Sequence, residues 1–472
     1  MKKIAIVIIM ASMATQALSQ SLEDYLAEAA ANNPELKASF NDYLAAVERT
    51  PQAGSLPDPE AVFGYFTKPM ETLMGNQRAE ISLMQMFPWF GTLRLRKDEA
   101  FKMALARYEA FREQKNRLFY QVKETWYNLY LLEEQIRIQE QNLAIMRSLE
   151  RIALEKFGSG GSSPIERSTA SGVNSLPAQA PMDPAMGGMG MSDAPVTKSG
   201  RTSGMTMNAM PQSPMGTGGS MADVLRVQME IKELESAIDF LKDSREPLAV
   251  EFNRLLNRPA GRPAPTPDTL IRKELPIDRS ILLDSAIANS PMIRMYAAEE
   301  QAFATQKEMA RKEGYPMFGV GFNYMIFSDQ NSSEPGMAMS RGKDMIMPMV
   351  SVTIPIFRKN YNAKAKEAEL WGEAAKFRQA AAESRLARDW KEAVKRMDDA
   401  ERRIRLYEEQ QKLAAQSIRL LTTAYSVQGS DFEEVLRMQT QLNDYRLKAA
   451  QAIVDQNIAA AQIEMLAALG LD

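Results

Sequence analysis

The sequence predicts a mainly α-helical chain with a small membrane β part, assembled from a duplicated helix–β-hairpin–long helix–helix unit. Three observations lead there: an internal repeat, two very long stretches without helix breakers, and two pairs of alternating strands of spanning length. The repeat is carried by motifs in the same order. Ala31-Asn32-Asn33-Pro34-Glu35-Leu36 returns as Ala288-Asn289-Ser290-Pro291-Met292-Ile293, and Phe87-Pro88-Trp89-Phe90 returns as Ile354-Pro355-Ile356-Phe357. Asp223-Val224-Leu225-Arg226 returns as Glu434-Val435-Leu436-Arg437, each after a Gly-Ser pair. A duplication of this period means two copies of one supersecondary unit, so each copy helps to read the other.

In chain order, residues 1–19 read as a signal peptide. Lys2-Lys3 supply the positive start, Ile4 to Met13 the apolar stretch, and Ala17-Leu18-Ser19 the small-x-small cleavage site. That stretch is too short to span a bilayer, and no other run approaches ~18 consecutive apolar residues, so no transmembrane helix is expected. The first repeat is expected over 20–257, a linker over 258–277 and the second repeat over 278–472. Each repeat opens with one helix, at 21–50 and at 278–313. The long helices are expected at about 92–157 and 361–427, which contain no Pro. At ~1.5 Å per residue such helices are roughly 100 Å long. The second carries a heptad seam through Leu386, Trp390, Ala393, Met397, Ala400, Ile404, Tyr407, Gln411, Ala414, Ile418, Leu421 and Tyr425, broken only by Gln411. A partner helix should therefore pack along its length.

The strands precede each long helix, at about 59–67, 79–88, 316–328 and 344–356, within hairpins at about 59–88 and 316–356. In the fourth, Ile346, Val350, Val352, Ile354 and Ile356 share one face, against Met345, Met347, Met349, Ser351 and Thr353. In the third, Phe318, Val320, Phe322, Tyr324 and Ile326 oppose Met317, Gly319, Gly321, Asn323 and Met325. Apolar on one side and small or polar on the other is how a barrel wall reads, lipid outside and lumen inside. Four strands cannot close a barrel, which needs about eight, and open edges are not tolerated in hydrocarbon. Several chains must then share one barrel; three would give twelve strands, and their helices a tube. Hairpins packed on a water-soluble helix bundle are the alternative arrangement.

Composition removes whole classes of chemistry. The chain has no Cys and no His, but 32 Met. Disulfides, thiolate metal sites, a lipid anchor on an N-terminal Cys and imidazole catalysis are all excluded. No spacing suggests Ser-Lys or carboxylate catalysis, so neither an enzyme nor a cofactor is expected. A net charge of −3 gives no reason to expect nucleic acid as a partner.

Asn-Asn-Pro-Glu-Leu early in the first copy, Phe87-Pro88-Trp89-Phe90-Gly91 and Ile354-Pro355-Ile356-Phe357-Arg358-Lys359-Asn360 together resemble the TolC-like outer-membrane efflux family. The two junction motifs look most like its heavy-metal branch, serving copper/silver or cobalt-zinc-cadmium export. The resemblance covers almost everything from about 21 to 472 except one insert. It implies a homotrimer with a 12-stranded outer-membrane β-barrel, set in outer-membrane lipid, on a long α-helical coiled-coil tunnel reaching through the periplasm. A periplasmic adaptor protein, docking at the far tip, and an inner-membrane pump would be its partners.

In the family the tip is the turn between the long helix and the next. The second copy keeps it as Tyr425-Ser426-Val427-Gln428-Gly429-Ser430, whereas the first starts as Phe157-Gly158-Ser159-Gly160 and resumes only at Asp223. Phe157 to Val224 is 67 positions and Tyr425 to Val435 is 10, so about 57 residues are inserted, roughly over 158–219. The insert is rich in Gly, Ser, Pro, Thr and Met, a composition that cannot bury enough apolar surface to order itself.

Methionine is the chemical signal. The insert holds Met182, Met186, Met189, Met191, Met205, Met207, Met210 and Met215, and the strands place Met84, Met86, Met345, Met347 and Met349 toward the lumen. Thioethers are soft neutral ligands that suit Cu(I) and, by the same softness, Ag(I). Methionine is also a flexible apolar filler, and that account remains open, above all for the strand set. Asp223, Arg226, Glu434 and Arg437 are candidate tip or gate residues, since three copies of each would ring the closed end; ordinary solvated charges at a helix start are the plainer account. Arg94, Arg96, Lys97, Arg358, Lys359 and Lys364 follow the junction motifs as headgroup contacts or solvated charges. The function expected is an exit duct for soft metal ions. Export of drugs or other small organic molecules, or a periplasmic Met-rich metal-binding protein, are the alternatives.

Overall fold

The computed structural model describes residues 21–72, 75–160, 221–267, 269–273, 279–328, 343–428 and 432–468. The expected signal peptide at 1–19 lies outside them, as do Met182, Met186, Met189, Met191, Met205, Met207, Met210 and Met215.

Each repeat opens with two helices rather than the one expected. In the first, α1 (Leu22–Asn32) stops and α2 (Pro34–Ala53) restarts; in the second, α5 (Arg279–Asn289) gives way to α6 (Pro291–Glu313). Proline explains the break, because it lacks an N–H and drives the preceding residue out of the helical region. Asn33 accordingly sits at φ −59°, ψ 124°, and Ser290 at φ −58°, ψ 120°. Pro34 then serves as the first residue of α2, where its missing donor costs nothing. Asn33 is buried and works in two directions: its Oδ1 accepts from the Leu36 N–H at 3.0 Å, and its Nδ2 donates to the Leu255 carbonyl at 2.9 Å. Ser21 and Asp24 form a reciprocal capping box at the start of α1.

The first hairpin is β1 (Glu60–Thr72) and β2 (Gly75–Phe87); the second is β3 (Met317–Ser328) and β4 (Met345–Thr353). They join through β2 and β3 into one antiparallel sheet of order β1-β2-β3-β4. Strand β4 ends at Thr353, short of the expected 356, leaving Ile354 and Ile356 outside the ladder before Pro355 and Phe357. Pro348 sits within β4, opposite Phe322 of β3.

From the sheet the chain enters α3 (Thr92–Gly160) and α7 (Arg358–Gln428), 69 and 71 residues long. The helices α4 (Met221–Leu255) and α8 (Phe432–Leu466) run back from their far ends. Each long helix is thus lined by shorter helices end to end, α2 and α4 along α3, α6 and α8 along α7, and α3 also packs on α6 and α8. The heptad positions Leu386, Trp390, Ala393, Met397, Ala400 and Ile404 are buried. Gln411, the break in that pattern, donates from Nε2 to the Tyr445 carbonyl at 3.2 Å, and Tyr407 stacks on Tyr445 beside it.

Two cores sit at mid-body and one at the tip. Tyr25, Val122, Trp126, Leu129, Phe252 and Leu256 form the first, and Ile293, Leu386, Trp390, Met397 and Ile463 the second. Next to the first core, burial pushes the Glu464 carboxyl up, but Lys123 at 2.7 Å and Lys273 at 2.5 Å outweigh it and hold the carboxyl below its ordinary value.

Two outcomes follow. Asn33→Ala removes a cap and leaves the Leu255 carbonyl without its side-chain donor, which should lower unfolding stability by about 1–2 kcal/mol in denaturant titrations. Because the folded pKa of Glu464 is depressed, its stabilisation is present above the unfolded value of about 4.3 and is lost as pH falls through the lower folded value. Glu464→Gln should flatten that acid limb of the stability curve.

Candidate functional sites at the sheet and the helical tip

Antiparallel register puts paired residues on one face, so the ladder defines two chemically distinct surfaces. One carries the rows Phe63–Ile81–Tyr324–Ile346 and Phe87–Phe318–Val352. Its side chains stand open: Phe63 is 75% exposed, Tyr65 78% and Val350 76%. Contiguous exposed apolar patches of this kind mark protein or membrane contact surfaces. The opposite face carries Glu60–Met84–Gly321–Met349, Val62–Ser82–Asn323–Met347, Gly64–Glu80–Met325–Met345 and Met86–Gly319–Ser351. The strand methionines singled out in the sequence, Met84, Met86, Met345, Met347 and Met349, therefore share the non-apolar face.

Two of them converge. Ser351 Oγ donates toward Met84 Sδ at 3.6 Å and Met86 Sδ at 3.7 Å. Glycines opposite make this possible. A Cβ on Gly319 would lie 2.6 Å from Met86 Sδ and 3.1 Å from Met84 Sδ. One on Gly321 would press into the Leu83 carbonyl oxygen and stand 3.1 Å from the Met84 Cα. Sequence reasoning passed over Ser351 and the two glycines as site residues. The available signal was a Gly-x-Gly in β3 matched to a Met-x-Met in β2.

At the junction below the sheet, Trp89 stacks on Tyr315 with ring centroids 5.1 Å apart and on Phe318 at 6.0 Å. Gly91 at φ +81° turns the chain into α3. Phe90 and Phe357 are exposed here, as belt aromatics are at a membrane interface. Arg96 and Lys364 do not stand free: Glu313 takes both, at 2.8 and 3.4 Å.

The tip lies at the far end of α3 and α7 from the sheet. Met146, Ala153, Val224, Val227, Tyr425, Phe432 and Val435 pack together there as an apolar cluster. Lys156 Nζ lies 3.5 Å from the centre of the Tyr425 ring and donates to the Tyr425 carbonyl at 3.0 Å, tying α3 to α7. Burial pushes the Tyr425 phenol up, and the charge of Asp223 adds to the shift. Of the candidate tip charges, Arg226 reaches across the two repeats to Glu433 at 2.8 Å, while Arg437 faces Glu434 at 3.6 Å within its own helix. The inter-repeat partner is thus Glu433, one residue before the position the motif comparison favoured. Lys156 was also missed, since cation–π reach between helices has no local sequence pattern. The insert falls between Gly160 and Met221, at this end of α3, whereas α7 and α8 are separated by residues 429–431 alone.

Residues 282–471 match the family model described as outer membrane efflux protein. That stretch of the chain is similar to the outer membrane efflux protein family. The matched stretch holds β3, β4, α7 and α8, and the residues before it repeat its element order. No curated relative matches the chain. Among solved structures it is similar to the outer membrane protein VceC of Vibrio cholerae, with 12% identity, TM-score 0.69 and coverage of 96% of this chain and 97% of that one. CusC follows with 16% identity, TM-score 0.65 and coverage of 96% and 95%. The CmeC outer membrane channel of Campylobacter jejuni gives 11%, 0.68, 95% and 85%. The likeness spans both repeats and is one of fold. Among the described residues no helix is long and apolar enough to cross a membrane.

Gly321→Ala should disrupt the β2–β3 pairing that unites the repeats, because the clash is with backbone that cannot swing away. A cost of about 1–3 kcal/mol is expected, read as loss of the folded, heat-stable species on semi-native gels.

Proposed function

We propose that this chain is the outer-membrane channel of a tripartite efflux pump, a passive duct that works as a homotrimer with a periplasmic adaptor and an inner-membrane pump. One observation carries the reading: a spanning-length sheet with one exposed apolar face stands on helices of roughly 100 Å. Three copies place β1 of one protomer beside β4 of the next, closing twelve strands with the apolar rows in lipid and the methionine rows inside. The aromatic junction then lies at the periplasmic interface, and the helices cross the periplasm to the tip. A duct performs no turnover, so the chain is not an enzyme.

The cargo proposed is a soft monovalent metal ion, Cu(I) or Ag(I). Support comes from the methionines of the insert at one tip turn, where cargo or adaptor arrives, and from those on the inner face of the sheet. Asp223, Arg226, Glu434 and Arg437, with Glu433, form the tip ring that holds the aperture closed.

Fractionation of cells should place the protein in the outer membrane as a trimer that conducts in planar bilayers; a soluble periplasmic monomer would end this architecture. Reversing charge at Glu433 should raise single-channel conductance, and the paired reversal Arg226→Glu with Glu433→Arg should return it toward the starting value. An exposed pair of this kind contributes only ~0.2–1 kcal/mol, so global stability should stay nearly unchanged. Cu(I) titration of the mature protein with and without residues 161–218 tests capture by the insert. Equal stoichiometry and affinity would count against it.

A further inference from the structure

We propose that Met84 and Met86, lying over Gly319 and Gly321, form a two-thioether site for a soft monovalent cation, with Met349 as a further donor on the same face. The inference rests on the duct reading, which makes this face the wall of the passage, and it assigns that wall a specific contact point.

The argument starts from register. Met84 and Met86 are two residues apart in β2, so both side chains leave the same face. On β3 they meet glycine at both paired positions, Met84 with Gly321 and Met86 with Gly319. Without side chains there, the thioethers lie across β3 toward β4, where both sulfurs come within hydrogen-bond reach of the single Ser351 hydroxyl. Met349, paired with Gly321 from the other side, completes the row. Three thioethers and one hydroxyl thus border two glycines.

Packing alone explains this poorly. Methionine earns its place as filler in irregular cores, but no helix lies across this sheet among the described residues, and Met84, Met86 and Met349 are all partly exposed. The apolar work of the sheet is done on its other face. Position matters as well: β2 ends at Phe87, β3 begins at Met317 and β4 ends at Thr353, so the cluster lies within a few residues of where the helices begin. A cation leaving the helical tube meets it on entering the barrel.

The donor set selects the ligand. Thioether sulfur is soft and uncharged, suited to Cu(I) and Ag(I) and poorly suited to Mg²⁺ or Ca²⁺, which prefer oxygen. Glu60, paired with Met84 from β1, adds a negative charge at the edge of the row that attracts cations without replacing the sulfurs. Few neutral donors give weak, exchangeable binding, which is what transit requires.

The test uses the full-length protein in detergent with Ag(I) as probe. Methionine oxidation by hydrogen peroxide needs the sulfur lone pair, so bound Ag(I) should slow sulfoxide formation at Met84 and Met86 several-fold, resolved by peptide mass spectrometry. In equilibrium dialysis, Met84→Leu with Met86→Leu should bind one Ag(I) fewer per chain, with trimer formation as the check that the variant folds. Oxidation rates at Met84 and Met86 that are the same with and without Ag(I) would overturn the site, as would unchanged stoichiometry in the double variant. Should the double variant fail to trimerise, the footprint on the unaltered protein still decides. A protein that neither trimerises nor conducts but shows Ag(I) protection would retain the site and refute the duct.

Discussion

Backbone N–H and C=O groups in hydrocarbon must bond to one another, since no water is there to take them. This constraint governs the molecule. Its sheet has four strands with pairing partners missing on the outer sides of β1 and β4, and its outer face is Phe, Tyr, Val and Ile standing in the open. Neither edge nor face is tenable alone. In the trimer proposed above, closure by copies of the same chain would satisfy both at once. On that proposal the hairpins would supply the spanning height, the aromatic junction would set the depth in the bilayer, and the long helices would inherit the circumference fixed above them.

Beyond the sheet, hydrogen-bonded ladders give way to apolar seams between helices. A helix of about 70 residues is stable only if an apolar stripe is covered throughout. The chain covers it with two shorter helices in tandem. The Asn33-Pro34 and Ser290-Pro291 breaks let α2 and α6 start afresh beside the long helices. At mid-body the cores around Trp126 and Trp390 mark where these tandem partners change over. The break at Asn33 is itself tied into the core by its bond to the Leu255 carbonyl, so a local stop signal doubles as a long-range clasp.

Much of this was written plainly in the sequence. Alternation in 316–328 separated Phe318, Val320 and Phe322 from Gly319 and Gly321, and the heptad through Leu386 to Ile404 named a seam that is buried. Period carries such information because one side of each element is always covered by a different medium. Other features were hidden for equally physical reasons. The motif Asn-Asn-Pro lies inside the single helix expected over 21–50, although proline's effect on the residue before it requires a break there. The expected fourth strand runs on through Ile354 and Ile356 because apolar alternation continues past the last ladder bond. At the tip, adjacent acids Glu433 and Glu434 look equivalent in sequence; only the approach of α4 to α8 selects Glu433 for Arg226. The thioether cluster needed the register of three strands to become visible.

The pairing of β2 with β3 has a consequence for how the chain is made. Phe87 finds its partner in Phe318, and Gln77 in Phe327, so the central ladder joins segments from opposite halves of the polypeptide. Contacts of such high sequence separation are slow to form, because loop closure must precede any gain from pairing. The helix pairs can zip locally, but the sheet has to wait for the second hairpin. Throughout that interval the first hairpin carries its bare apolar face through an aqueous compartment, a state prone to aggregation. Biogenesis, more than the finished assembly, is where this protein is most exposed to failure.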